Sequence, residues 1–225
     1  MRPHAGADMT TIGSQTCGLH CSVMKRYPVR AAPGGVDWSR AVCLSDFRFP
    51  WETTAPAATE FRALHTAARL CFRFDCVDLD LVLGQGTTEK ERVLGSDRVE
   101  IFMTPDLGLD PYFCLEVAPN GETYGYRART YRNFDDDFQW RGLELSCRSA
   151  GTQYTVEGSL PLATLRELGV LAPGARQLLA GVYRAQFSRR PAGSVHRGWM
   201  SWVDPKTVKP DFHVPSSFGT FELVD

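Results

Sequence analysis

Apolar and polar residues alternate with a period of two along much of the chain, the pattern of half-buried β-strands. From Arg69 to Val77, Leu70, Phe72, Phe74 and Cys76 share one face, and Cys71, Arg73 and Asp75 share the other. The same alternation sets Val99, Ile101 and Met103 against Glu100 and Phe102, and Phe113, Leu115 and Val117 against Cys114 and Glu116. It recurs over Leu143–Arg148, Tyr154–Ser159 and Gly219–Val224. Turn signals separate the runs: Gly84-Gln-Gly86, Pro105-Asp106, Asn120-Gly121, Ala150-Gly151, Pro173-Gly174 and Pro191-Ala-Gly193. Asn120-Gly121, lying between two alternating runs, is the strongest hairpin signal.

A single stretch reads as helix. Pro161 suits a first helical turn, Leu162, Leu165 and Leu168 share a face, and Gly169 closes it. One short helix among many strands, with no strand–helix–strand alternation, predicts an all-β antiparallel sandwich. Pro205, Pro210 and Pro215 predict an irregular loop before the last strand.

Length and charge narrow the picture. A chain of 225 residues is long enough for one well-buried β domain. Residues 24–225 are assigned to it and residues 1–23 to an extension. With 25 Lys and Arg against 26 Asp and Glu, the chain lacks the basic excess of a nucleic-acid binder. No run approaches the ~18 apolar residues of a membrane-spanning helix. The first 21 residues hold no apolar core of a secretory leader. Seven cysteines, several inside apolar runs, read as small hydrophobes rather than a disulfide framework. Those thiols fit a reducing compartment, or an oxidising one with few bridges. Cys17-x-x-His20-Cys21 is too incomplete for a zinc site.

Several pieces in order resemble a known family. These are Asp37-Trp38, Phe49-Pro50-Trp51, Leu70-Cys-Phe-Arg-Phe74, Asp97-Arg-Val-Glu-Ile-Phe102 and Glu157-Gly-Ser-Leu-Pro161. They continue with Tyr183-Arg184 ending a strand, Gly198-Trp199-Met-Ser201-Trp202, Asp211-Phe212-His213-Val-Pro215 and Phe218-Gly219. Over about residues 27–225 the chain resembles family 9 carbohydrate-binding modules and their DOMON-like relatives. The resemblance implies a jelly-roll sandwich that binds an oligo- or polysaccharide without catalysis. It also implies a role in carbohydrate catabolism beside xylan-degrading or related glycoside hydrolases, an extracellular or periplasmic setting, and in some members structural calcium. The segment Glu91–Gly95 lacks the tryptophan that helps sandwich the sugar in well-known members.

Sugar recognition needs a flat ring against the C–H face of a pyranose and fixed polar groups for its hydroxyls. The candidate rings are Trp140, Trp199, Trp202 and Phe212, and the polar candidates are Arg98, Arg184, Asp211 and His213. Trp199 and Trp202, three apart, face opposite sides of a strand. Trp202, running into the proline-rich loop, is the one expected at the site, while Trp38 and Trp51 are expected to pack. No cofactor is required; Asp75, Asp78 and Asp80 are the calcium candidates, with Asp135-Asp136-Asp137 a second acidic group. Two further readings stay open. Glu100, Glu116, Glu144 and Glu157 stand opposite the apolar faces, where two neighbours would serve a glycoside hydrolase, although outward glutamates suit any half-solvated sheet. The alternative is a protein-interaction sandwich that has lost the sugar site.

Overall fold

The structure, a computed structural model, describes residues 24–225 apart from Ala192. The extension expected over residues 1–23, with the Cys17/His20/Cys21 group, lies outside the described residues. Twelve strands are present among them: β1 (Arg26–Ala31), β2 (Thr59–His65), β3 (Arg69–Val77), β4 (Arg98–Thr104), β5 (Tyr112–Val117) and β6 (Thr123–Arg129). The others are β7 (Asn133–Asp135), β8 (Glu144–Ala150), β9 (Gln153–Pro161), β10 (Gln177–Arg189), β11 (Val195–Ser201) and β12 (Gly219–Val224). They follow one hydrogen-bonded path, β7-β6-β5-β4-β10-β12-β1-β2-β3-β9-β8, with β11 added to β10.

β10 joins the two layers. Its first residues pair with β12 over Gln177–Ala180, and its later ones with β11 over Tyr183–Arg189. Along its other edge it pairs with β4. The layers turn their apolar faces to each other. Phe61, Phe72, Phe74, Val156 and Phe221 come from one layer and Val99, Ile101, Met103, Leu115 and Val182 from the other. Each such side chain, removed from water, contributes ~1.5–3 kcal/mol.

The all-β class stands, and the pairing is mixed rather than wholly antiparallel. β1 runs parallel to both β12 and β2, between which it lies. Asn120-Gly121 turns β5 into β6, with Gly121 at φ +90°, a conformation that favours glycine. The expected helix is α2 (Leu162–Glu167), with Pro161 as its N-cap. A second helix, α1 (Glu89–Leu94), was not anticipated. It has six residues and buries only Val93, so it shows no apolar stripe, and the Thr88/Glu91 capping box starts it. Tyr183-Arg184 does not end a strand, since β10 continues to Arg189. No helix among the described residues is long and apolar enough to cross a membrane. Their five cysteines are free thiols, and Cys71, Cys76 and Cys114 are buried.

Candidate functional site

The outer face of the β11-β10-β4-β5-β6 layer carries the chemistry. Register fixes the arrangement. Trp199 lies beside Ala185, and Ala185 beside Arg98. Tyr183, Glu100, Glu116 and Tyr124 form the next row. Phe102, Cys114 and Tyr126 form the one after. Small Ala185 leaves room for the Arg98 guanidinium to reach over the Trp199 ring, 5.2 Å from its centroid. The loop after β11 folds across this face, pinned by Phe212, which stacks on Tyr183 at 4.1 Å and 15°. Tyr183 in turn donates its hydroxyl to Ser217.

Between sheet, loop and α1 lies a cavity of about 350 Å³, within the range of small-molecule sites. Arg98, Glu100, Glu116, Tyr126, Trp199, Asp211, Phe212 and His213 line it. Exposed Phe134, Arg132 and Pro210 stand at its rim. Its floor is ionic and buried. Arg98 Nε donates to Glu116 Oε2 at 2.5 Å, and Tyr126 donates its hydroxyl to Glu116 Oε1 at 3.2 Å. Glu100 is 2% exposed; burial first, and then the neighbouring Glu116 charge, pushes its carboxyl up to about 8. Burial likewise drives the Tyr126 hydroxyl well above its ordinary value.

The loop wall is polar and locked. Burial raises Asp211, but this is outweighed by hydrogen bonds from the Tyr131 hydroxyl, the His213 N–H and Arg132, which hold its carboxyl below the usual range. His213 Nδ1 shares a 2.8 Å hydrogen bond with the Tyr112 hydroxyl. Burial, aided by the Arg132 charge, lowers the imidazole to about 4, so the ring is neutral at pH 7.

Five of the eight candidate residues meet here: Arg98, Trp199, Asp211, Phe212 and His213. Three do not. Trp202 is 4% exposed and sits in the inter-layer core, 6.5 Å from Tyr27 and 6.1 Å from Phe221. Trp199 and Trp202 do lie on opposite faces, Trp199 on the cavity and Trp202 in the core. Trp202 follows the strand end, where its N–H donates to the Val182 carbonyl, and its ring points inward. Trp140 is a core ring whose indole N–H donates to the Cys114 carbonyl at 2.9 Å. It borders a neighbouring hollow of about 440 Å³, not the ionic cavity. Arg184 is wholly buried mid-strand, bonded to Thr59, the Val77 carbonyl and Asp78. Trp51, expected to pack, does so against Phe212 at 5.7 Å.

The calcium candidates do not converge. Asp75 is held by Arg73 and Thr155, Asp78 by Arg184 and Asp80 by Arg189. Calcium takes six to eight oxygens around one point, whereas each of these acids already neutralises an arginine. Among the described residues no three metal-ligating side chains cluster. Asp135 and Asp136 are likewise taken by Arg127 and Lys90.

Glu100 and Glu116 are the residues that strand alternation misplaces. They were expected to face outward into solvent, yet every residue of β4 and β5 is buried. The signal was present. Phe102 and Cys114 share the face of these glutamates, which marks a face covered by protein. Glu144 is exposed as expected, and Glu157 pairs with Arg73 and Arg148.

No curated protein matches the sequence. Solved structures do share the fold. A protein from Bacteroides uniformis, provisionally described as carbohydrate-binding, superposes with a TM-score of 0.66 at 15% identity, over 89% of this chain and 99% of its own. A carbohydrate-binding module family 9 from Caldicellulosiruptor kristjanssonii, in complex with cellotriose, gives 0.60 at 15% identity, over 89% and 94% of the two chains. The same description in complex with glucose gives 0.58 at 15% identity, over 88% and 95%. The family model "Carbohydrate family 9 binding domain-like" matches residues 34–225, and the chain belongs to that family.

Proposed function

We propose that this protein binds a saccharide without catalysis, seating one sugar unit in the Arg98/Trp199 cavity. Family membership supports the class of ligand, and the relatives in complex with cellotriose and glucose support the type of sugar. The observation that carries the reading is one half-buried aromatic ring, Trp199, in the same cavity as Arg98, Glu116 and Asp211. The ring supplies an apolar platform for pyranose C–H groups, and the fixed donors and acceptors reward hydroxyls that would otherwise lose water. Neutral His213 completes the wall as a hydrogen-bonding ring.

The glutamates suit a binding floor better than hydrolysis. A glycosidase flanks the scissile bond with its two carboxyl groups. Glu100 and Glu116 instead stand side by side on neighbouring strands, both within ion-pair distance of Arg98 Nε, at 3.0 and 2.5 Å. A glycoside hydrolase acting on xylan or a related polysaccharide is the partner class this reading carries, on the strength of family resemblance. Calorimetric titration with cellotriose tests the reading. One site per chain, weakened by Trp199→Ala, is the expected result; absence of heat from the folded protein across mono-, oligo- and polysaccharides would move the fold to the interaction-scaffold class.

A further inference from the structure

The charges inside the cavity narrow the ligand, on the premise that the saccharide reading holds. Lys90 is matched by Asp136, and Arg132 by Asp211. Arg98 alone faces two carboxyl groups, Glu100 and Glu116. Its Nε–H is aligned on Glu116 at 2.5 Å, and its Nη1 donates to the Leu94 and Ser96 carbonyls. Glu100 Oε1 lies 3.0 Å from Nε yet receives no hydrogen bond, from Arg98 or from any other described residue. Tyr126 gives its hydroxyl to Glu116, and Tyr183 gives its own to Ser217. The floor thus has one carboxyl more than it has cations, and one buried acceptor without a donor.

We propose that the cavity selects an amino sugar, with the sugar's ammonium seated on Glu100. An ammonium takes the place of the proton that balances Glu100 in the empty cavity, and it brings charge-assisted donors to that carboxyl group. The rings of Tyr126, Phe134 and Trp199 around the same space favour a cation. A uronic acid would instead set its carboxylate beside the Glu116 charge and hold Glu100 in its protonated form, and like charges in a buried site repel. In the empty cavity Glu100 keeps its proton at neutral pH, its carboxyl pushed up to about 8. Seating an ammonium there favours the carboxylate, so the Glu100 proton passes to solvent on binding. The groups facing Glu100 are Arg98 from its own strand, Glu116 and Cys114 from β5, Tyr126 from β6, Tyr183 from β10 and neutral His213 from the loop.

The test is calorimetry at pH 7 with glucosamine, N-acetylglucosamine, glucose, glucuronic acid and cellotriose, in two buffers of different ionisation enthalpy. Glucosamine is expected to bind about tenfold more tightly than glucose or N-acetylglucosamine, the scale of one charge-assisted hydrogen bond, and to release a proton. In Glu100→Gln, shown to be folded by its thermal melt, the glucosamine-to-glucose ratio should fall to near one and the proton release should vanish. Equal affinity for glucosamine and glucose, tightest binding of glucuronic acid, or binding of cellotriose with none of glucosamine would overturn the ammonium seat and leave the saccharide reading standing. No binding of any of the five by folded protein overturns both.

Discussion

Trp199 and Trp202, three residues apart, should fail in opposite ways when truncated. The Trp202 ring is 4% exposed and packed between Tyr27 and Phe221. It also lies so close to Gly219 that a Cβ there would meet the indole at 2.5 Å. These neighbours sit on β1 and β12, hydrogen-bonded within the sheet, so they cannot close over the space left behind. Trp202→Ala should therefore cost the full ~3–5 kcal/mol typical of a large aromatic removed from a core. For a domain of this size that lowers Tm by about 6–20 °C. Trp199 is half-buried and has lost less water-exposed area on folding, so Trp199→Ala should cost ~1–2 kcal/mol of stability. As the ring against the sugar it should carry a central share of affinity, ~2 kcal/mol or roughly thirtyfold in Kd. Differential scanning fluorimetry and calorimetry with cellotriose on both variants give the four numbers. A Trp202→Ala protein of unchanged Tm that no longer binds, beside a Trp199→Ala protein that binds normally, would refute the assignment.

Three further outcomes follow from the charged interior. Glu100 has a folded pKa of about 8, above its ordinary 4.5. Its contribution is full below pH ~4.5 and is lost as pH rises towards 8; the Tm of Glu100→Gln should accordingly gain on wild type between pH 5 and pH 8, and a constant difference would contradict this. His213 is depressed to about 4, so its contribution is present above pH ~6.5 and lost as pH falls through 4. Acid melts of His213→Gln should show a shallower decline than wild type over that window, and parallel declines would count against the buried neutral ring. Arg184→Ala strands buried Asp78 without its partner and should cost ~3–5 kcal/mol; a urea midpoint within error of wild type would show that the pair is dispensable.

The fold was legible because the inner faces obey a simple alternation. β3 spans Arg69–Val77 and β12 spans Gly219–Val224, as their period predicts. The cavity was harder to read because its layer is covered on both faces. There alternation no longer separates core from solvent, and Glu100 and Glu116 looked outward when they are the floor. Arg98, Asp211, Phe212 and His213, which line one cavity, are named by motif order, which the period does not encode. The neighbouring prolines point Trp202 towards the site, but parity and the strand end decide where its ring lies, in the core. β1, parallel to both of its neighbours, has partners far away in the chain that no local pattern names.

The most direct test of the central claim follows the indole N–H signals of the described tryptophans, Trp38, Trp51, Trp140, Trp199 and Trp202, by heteronuclear NMR during a cellotriose titration. The Trp199 signal, assigned through Trp199→Phe, should move most and in step with occupancy, while Trp202 and Trp140, whose rings belong to the core, should stay near their starting positions. A large shift of Trp202 or Trp140 with Trp199 unmoved would place the sugar elsewhere and contradict the account.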